Sequence, residues 1–246
     1  GVMSKGRPLA KYVMIALVMV IASIAVVNLA ADDQSDHEYS AAVIYDHFID
    51  LDAPTSDSLH GWTFSGTTLT FNSTASSYIY EIRNGSGLTR NITFSSGADT
   101  TVILKNINII GTISLLGVNV SVYLEGDNAV SNGGIYVPFG STINIDSNLN
   151  PGSEDETLTI ITLATSGQAG IGGNGVTATM DRNAGDVNIN GGTLVIGANG
   201  GAGIGGGGAR NISTTGIAYG GNGGNTTISG GKVTVYGATA TTAIGG

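Results

Sequence analysis

Ala169-Gly170-Ile171-Gly172-Gly173 recurs as Ala202-Gly203-Ile204-Gly205-Gly206, and Ala243-Ile244-Gly245-Gly246 opens a third copy. Between the copies, Asp186–Ile196 (DVNINGGTLVI) aligns with Asn225–Val235 (NTTISGGKVTV). The period is about 33 to 40 residues, within the range of solenoid architectures. Each unit reads as a short strand, a Gly-Gly corner, a second strand and an A-G-I-G-G corner. Glycine belongs at corners where φ is positive or where a neighbouring backbone approaches closely. Ile189, Leu194 and Ile196, with their counterparts Ile228, Val233 and Val235, are expected to point inward and stack from one coil to the next. Ile171, Ile204 and Ile244 would plug the interior at the glycine corner. A single coil of this kind cannot bury its apolar face alone, so its stability must come from its neighbours. The segments 174–185 and 207–224 differ in length, as loops bulging from one face would.

Upstream of the repeats the pattern is also β. Trp62 to Phe71 and Tyr78 to Ile82 alternate, and the pairs Val102/Leu104, Ile107/Ile109, Ile113/Leu115, Val118/Val120, Val122/Leu124, Ile143/Ile145 and Leu158/Ile160 continue the two-residue period. Gly, Asn or Asp separates them, and no segment of helical length after Gly61 has a 3.6-residue period. The fold class that follows is all-β, a solenoid of stacked coils over 61–246, preceded by an N-terminal transmembrane or signal helix. Gly246 falls inside the third repeat copy, so the repeats are expected to continue past it.

Composition supports an extracellular repeat protein. The chain of 246 residues holds 40 glycines but only 4 prolines, which excludes a collagen-like composition. Hydrophobic residues make up 41% and charged residues 11%, the reverse of a disordered chain. Cysteine is absent, so thiol catalysis and Cys-ligated zinc are excluded. The net charge is −9, and three of the nine basic residues (Lys5, Arg7, Lys11) precede the hydrophobic run Tyr12–Ala31. The remainder is acidic enough to argue against nucleic acid as a partner.

Basic residues before the apolar run and Asp32, Asp33, Asp36 and Glu38 after it predict a cytoplasmic N-terminus, with the rest at the cell surface or in the extracellular space. About 20 apolar residues suffice to span a bilayer, which favours an uncleaved signal anchor holding the chain in the membrane. Small residues at Ser23-Ile24-Ala25 and Leu29-Ala30-Ala31 leave a cleaved signal peptide open. Residues 1–31 are thus the anchor or signal, and 32–60 an acidic spacer and cap. His37 and His47 in that spacer read as exposed side chains rather than metal ligands.

Trp62-Thr63-Phe64, Val102–Ile109 (VILKNINI), Val120–Asn128 (VSVYLEGDN), Gly134–Pro138 (GIYVP) and the A-G-I-G-G corners occur here in one order. In this the chain resembles microbial adhesin-like, carbohydrate-binding-domain surface proteins, which implies an all-β, right-handed parallel β-helix (solenoid). That resemblance covers 61–246 and implies an outward-projecting adhesive stalk whose partner is an extracellular glycan or another cell-surface molecule.

Several motifs are weighed against chemistry. Gly170-x-Gly172-x-x-Gly175 and Gly203-x-Gly205-x-x-Gly208 match a dinucleotide fingerprint, but no helix follows either, so they read as corners. No Asp completes the G-G-x-G-x-D calcium repeat after Gly172-Gly173 or Gly220-Gly221. No cofactor is expected, and the one cation the sequence leaves room for is a loosely bound Ca²⁺ around Asp181 or Asp186. β-Helices also host polysaccharide lyases and glycoside hydrolases, which need facing carboxylates. The candidates Asp146, Glu154, Asp155, Glu156, Asp181 and Asp186, with Arg182 and Arg210, show no recurring pair on one strand face, and no catalytic residue is assigned. Sequons begin at Asn72, Asn84, Asn91, Asn119, Asn211 and Asn225. Aromatic residues beside Asn and Asp are what a glycan site requires. Tyr78, Tyr80, Tyr123, Tyr136, Tyr219, Tyr236, Trp62 and Phe139 are the aromatic candidates, with Trp62 and Phe64 read as part of an N-terminal cap. The candidate glycan contacts are Tyr219, Asn222, Arg210 and Asp181, in the two variable loops. The leading expectation is an adhesin-like structural protein. Its alternatives are a polysaccharide-degrading enzyme and a passive cell-envelope component.

Overall fold

Short period-2 segments with glycine or asparagine between them should pair with their nearest equivalents along the chain, and they do. The computed structural model describes residues 42–163, 167–175, 182–208, 220–237 and 242–245. The segment 1–31, read as anchor or signal, lies outside them, as do Asp181, Arg210 and Tyr219. Among the described residues no helix is long and apolar enough to cross a membrane.

Three sheets hold the strands. The first contains β1 (His47–Asp50), β4 (Ile79–Arg83), β7 (Thr100–Lys105), β10 (Asn119–Glu125), β13 (Thr142–Ser147), β16 (Asp186–Ile189) and β19 (Thr226–Ile228), in that order. The second contains β5 (Leu88–Thr89), β8 (Asn108–Ile110), β11 (Asp127–Ser131), β14 (Thr157–Ile161), β17 (Thr193–Ala198) and β20 (Lys232–Gly237). The third contains β2 (Trp62–Ser65), β3 (Thr68–Phe71), β6 (Asn91–Phe94), β9 (Ile113–Leu115), β12 (Ile135–Tyr136), β15 (Ile171–Gly172), β18 (Ile204–Gly205) and β21 (Ile244–Gly245). From β4 onward the chain visits the sheets in turn, so each strand pairs in parallel with the strand three places later. We call each set of three strands a tier. Among the described residues the one antiparallel strand pair is the hairpin β2–β3, with Trp62 opposite Phe71. β1 pairs with β4, so the first sheet begins at His47, inside the stretch read as spacer and cap.

Register turns the alternation into apolar columns, at least one in each sheet. In the first sheet Tyr80, Val102, Val122, Ile145, Ile189 and Ile228 lie one above another. In the second the column is Ile109, Val130, Ile160, Ile196 and Val235. In the third it is Leu69, Ile92, Ile113, Ile135, Ile171, Ile204 and Ile244. Members covered on both sides are buried to 2% exposure or less, whereas Ile228 and Ile244, in the last described tier, remain 45% and 44% exposed. Stacking on both sides is therefore what removes these side chains from water, as the repeat pattern implied.

The A-G-I-G-G repeat records a steric demand. Gly172, Gly205 and Gly245 occupy the same register with φ of +134°, +132° and +127°. A Cβ at Gly172 would lie 2.1 Å from the Gly205 carbonyl oxygen, and one at Gly205 would lie 1.8 Å from that of Gly245. Backbone follows backbone at this corner with no room for a side chain at Gly172 or Gly205, whereas the register partner of Gly172 in β12 is Tyr136.

The first tiers carry an aromatic cluster. His47 and His60 have ring centroids 4.3 Å apart, with Trp62, Tyr78 and Tyr80 around them, and Phe71 stacks on Phe94 at 4.9 Å. His47, expected to be exposed, is half-buried there because β1 belongs to the sheet. Tyr80 is fully buried, donates its hydroxyl to the His60 carbonyl at 2.5 Å, and has its phenol pKa pushed up by that burial. On the outer face of the first sheet, Lys105 Nζ sits 2.6 Å from Glu125 and 3.4 Å from the buried Glu81. Arg83 approaches Glu81 at 3.4 Å and covers the Phe48 ring at 4.1 Å.

Candidate functional site

The corner where the chain passes from the third sheet to the first builds a groove of about 670 Å³. Three successive tiers contribute to it: Phe139–Thr142, Asn183–Asp186 and Asn222–Asn225. After β12, Pro138 forms an antiparallel bridge with Ala184, and the turn closes through Ser141 N–H donating to the Pro138 carbonyl at 2.9 Å. Gly140 takes a φ of +84° at that turn. This geometry throws the Phe139 side chain outward, leaving it 80% exposed, while its own N–H is held by the Asn183 carbonyl at 3.1 Å.

The next two corners repeat one bonding scheme. Asn183 Oδ1 accepts the Asn222 N–H at 2.9 Å, and Asp186 Oδ1 accepts the Asn225 N–H at 3.1 Å. In return the Asn222 and Asn225 carbonyls accept N–H bonds from Ala184 and Val187. These contacts fix the asparagine backbones, so their amide side chains are presented from a rigid frame. The floor between them is glycine backbone: a Cβ at Gly224 would lie 1.9 Å from the Gly185 carbonyl oxygen. The result is a shallow trough with a bare peptide floor, one exposed aromatic ring and a line of amides, hydroxyls and one carboxylate.

A second groove of about 410 Å³ lies at the same edge of the first sheet in the earlier tiers, lined by Asp46, Tyr78, Asp99, Asn119 and Ser121 among others. Asp46 and Asp99 act there as Asp186 does, accepting the N–H of Ile79 at 2.9 Å and of Asn119 at 2.5 Å. Neither groove has a lysine or arginine in its described lining. Their linings are acidic, and Asp46, Asp99 and Asp186 each accept one backbone N–H.

Of the four candidate contacts, Asn222 lies in the larger groove and is exposed. Phe139, one of the aromatic candidates, stands beside it, whereas Asn183 and Asn225 were not singled out as ligands by sequence. They come together only because successive tiers stack, and no local motif signals that. Trp62 is buried at 5% exposure and Phe64 is half-buried against the core, so neither presents an open ring to a ligand.

The other acids serve different ends. Asp146 Oδ1 accepts the Gly152 and Ser147 N–H groups at 2.8 Å, closing the corner between the first and second sheets. Asp155 bonds the Asn150 amide at 3.1 Å. Glu156 points inward in phase with Leu158 and Ile160 and is 4% exposed. Asp146 lies near the end of β13 away from the groove, and Asp155 and Glu156 follow that strand. Among the described residues no three His, Asp or Glu side chains cluster as a metal site. Asp186, the described member of the pair around which a Ca²⁺ was considered, has one oxygen committed to Asn225.

No protein-family model matches the chain, and neither the search of curated proteins nor that of solved structures gives a match.

Proposed function

We propose that the chain is an adhesin-like structural protein of the cell surface, a right-handed parallel β-helical stalk that attaches to glycans through the groove beside Phe139. The observation that carries this reading is the 80% exposed Phe139 ring set against the amides of Asn183, Asn222 and Asn225. An aromatic plane next to fixed hydrogen-bonding groups matches the apolar face and hydroxyl rim of a sugar. The β-helical description is supported by strands that pair in parallel with the third strand on. Its right hand follows from the strong bias of parallel crossovers. The extracellular location rests on the basic-then-apolar-then-acidic N-terminus.

Binding is favoured over bond cleavage because hydrolysis uses a second carboxylate facing the first. In the larger groove the described lining offers Asp186 alone. The test is retention of the full chain on insoluble polysaccharides, with and without calcium, with released sugars assayed in the supernatant. Retention without release supports the adhesin, release replaces it with a polysaccharide-degrading enzyme, and neither leaves a passive envelope component.

A further inference from the structure

The two grooves are parts of one line. Asn119, Thr142 and Asp186 are direct register partners at the starts of β10, β13 and β16. The hydrogen bonds from Asn119 N–H to Asp99 and from Asn225 N–H to Asp186 extend the same row by one tier at each end. The row therefore reads Asp99, Asn119, Thr142, Asp186, Asn225, with Asp99, Asn119 and Asn225 exposed and the other two half-buried. Neighbouring strands lie about 4.8 Å apart, so four intervals span about 19 Å. The smaller groove holds the Asp99 end and the larger holds the Thr142–Asn225 end, where Phe139 stands.

Resting on the glycan reading above, we propose that the ligand is a neutral, extended polysaccharide lying along the stacking direction over this row. A row of evenly spaced oxygens and amides recognises a polymer of hydroxyls better than a single terminal sugar, because each tier repeats the same type of contact. The sign of the charge selects among polymers. Asp46, Asp99 and Asp186 border the row, no described lysine or arginine lines either groove, and the whole chain carries −9. A uronate or sulfated polymer would meet like charges throughout and find no cation to pair with. A neutral hexose or acetamido-hexose polymer meets acceptors and donors it can match.

The test is calorimetric titration of the full chain with neutral β-1,4-linked glucose and N-acetylglucosamine oligomers from disaccharide to octasaccharide. Oligogalacturonates of the same lengths are the anionic control. The expected result is an affinity that rises at least about tenfold from disaccharide to hexasaccharide and then levels off, with oligogalacturonates at least about tenfold weaker. Asn119→Ala removes one exposed member of the row and should weaken hexasaccharide binding more than disaccharide binding, flattening the length dependence. Asp99→Asn, which keeps an acceptor for the Asn119 N–H, should narrow the gap between neutral and anionic oligomers. Length-independent binding, or preference for oligogalacturonate, overturns the extended neutral ligand while leaving a glycan adhesin standing. Failure of every oligomer, together with failure of every insoluble polysaccharide, overturns both.

Discussion

Gly172 lies directly against Gly205 in the next tier, so closely that a Cβ on the first would sit 2.1 Å from the carbonyl oxygen of the second. Gly205 stands in the same relation to Gly245, and Gly172 and Gly205 have φ of +134° and +132°. Gly205→Ala therefore combines backbone strain with overpacking, and should cost about 3 kcal/mol or more. Gly66→Ala is the control. Its φ is +60° with nothing within 4 Å of the new Cβ, and it should cost about 1 kcal/mol. Urea unfolding of both variants reads the difference, and equal losses would show that stacking is not what the glycine serves.

Ile189 and Ile228 are adjacent members of one column, the first fully buried and the second 45% exposed. Ile189→Ala should lose about 3 kcal/mol through the cavity it leaves, whereas Ile228→Ala should lose under about 1.5 kcal/mol. The same unfolding measurement separates them. Comparable losses would mean that the last tier is covered in solution.

Much of this was legible in the sequence, and unevenly so. The A-G-I-G-G corners stood out because steric exclusion at Gly172 and Gly205 admits a single residue type. The inward positions Ile189, Leu194 and Ile196 followed from strand period alone. The earlier tiers left no repeat to read, since Tyr80, Val102, Val122 and Ile145 fill one column with residues of different size. β1 was missed as a strand because His47–Asp50 is short and lies in an acidic context. The groove was only half visible. Phe139 and Asn222 could be named as types, but their meeting depends on tier lengths that vary along the chain and cannot be counted off a motif.

Lys105 holds two carboxylates, Glu125 at 2.6 Å and the 3%-exposed Glu81 at 3.4 Å. Lys105→Ala leaves Glu81 with Arg83 as its remaining cation and should destabilise by about 2 kcal/mol. Glu125→Gln, which removes the more exposed partner, should cost under about 1 kcal/mol. Combining the two substitutions in a cycle should give a non-additive loss, and strict additivity would deny the coupling.

Asp50 and Asp57 on the acid side and Lys105 on the alkaline side set the pH limits of stability. The Asn84 amide, followed by the Asp52 N–H, holds the Asp50 carboxyl below its ordinary 3.8, and the His60 ring does so for Asp57. Their contributions are complete above 3.8 and fade as pH falls through the lower folded values. Hydrogen bonding to Glu125 raises Lys105 above 10.5, so its contribution is complete below 10.5 and fades as pH rises through the folded value. Melting temperature should thus be flat from about pH 5 to 9 and fall on both sides. Asp57→Asn should soften the acid fall and Lys105→Met the alkaline one, while unchanged profiles would assign the limits to other groups.

The most direct measurement is a binding isotherm of the wild-type chain and Phe139→Ala on the insoluble neutral polysaccharide that retains the wild type, with melting temperatures recorded for both. Because the ring is 80% exposed, its loss should leave the melting temperature within about a degree while weakening retention at least about tenfold. Retention that survives Phe139→Ala at full strength would contradict glycan attachment at this groove.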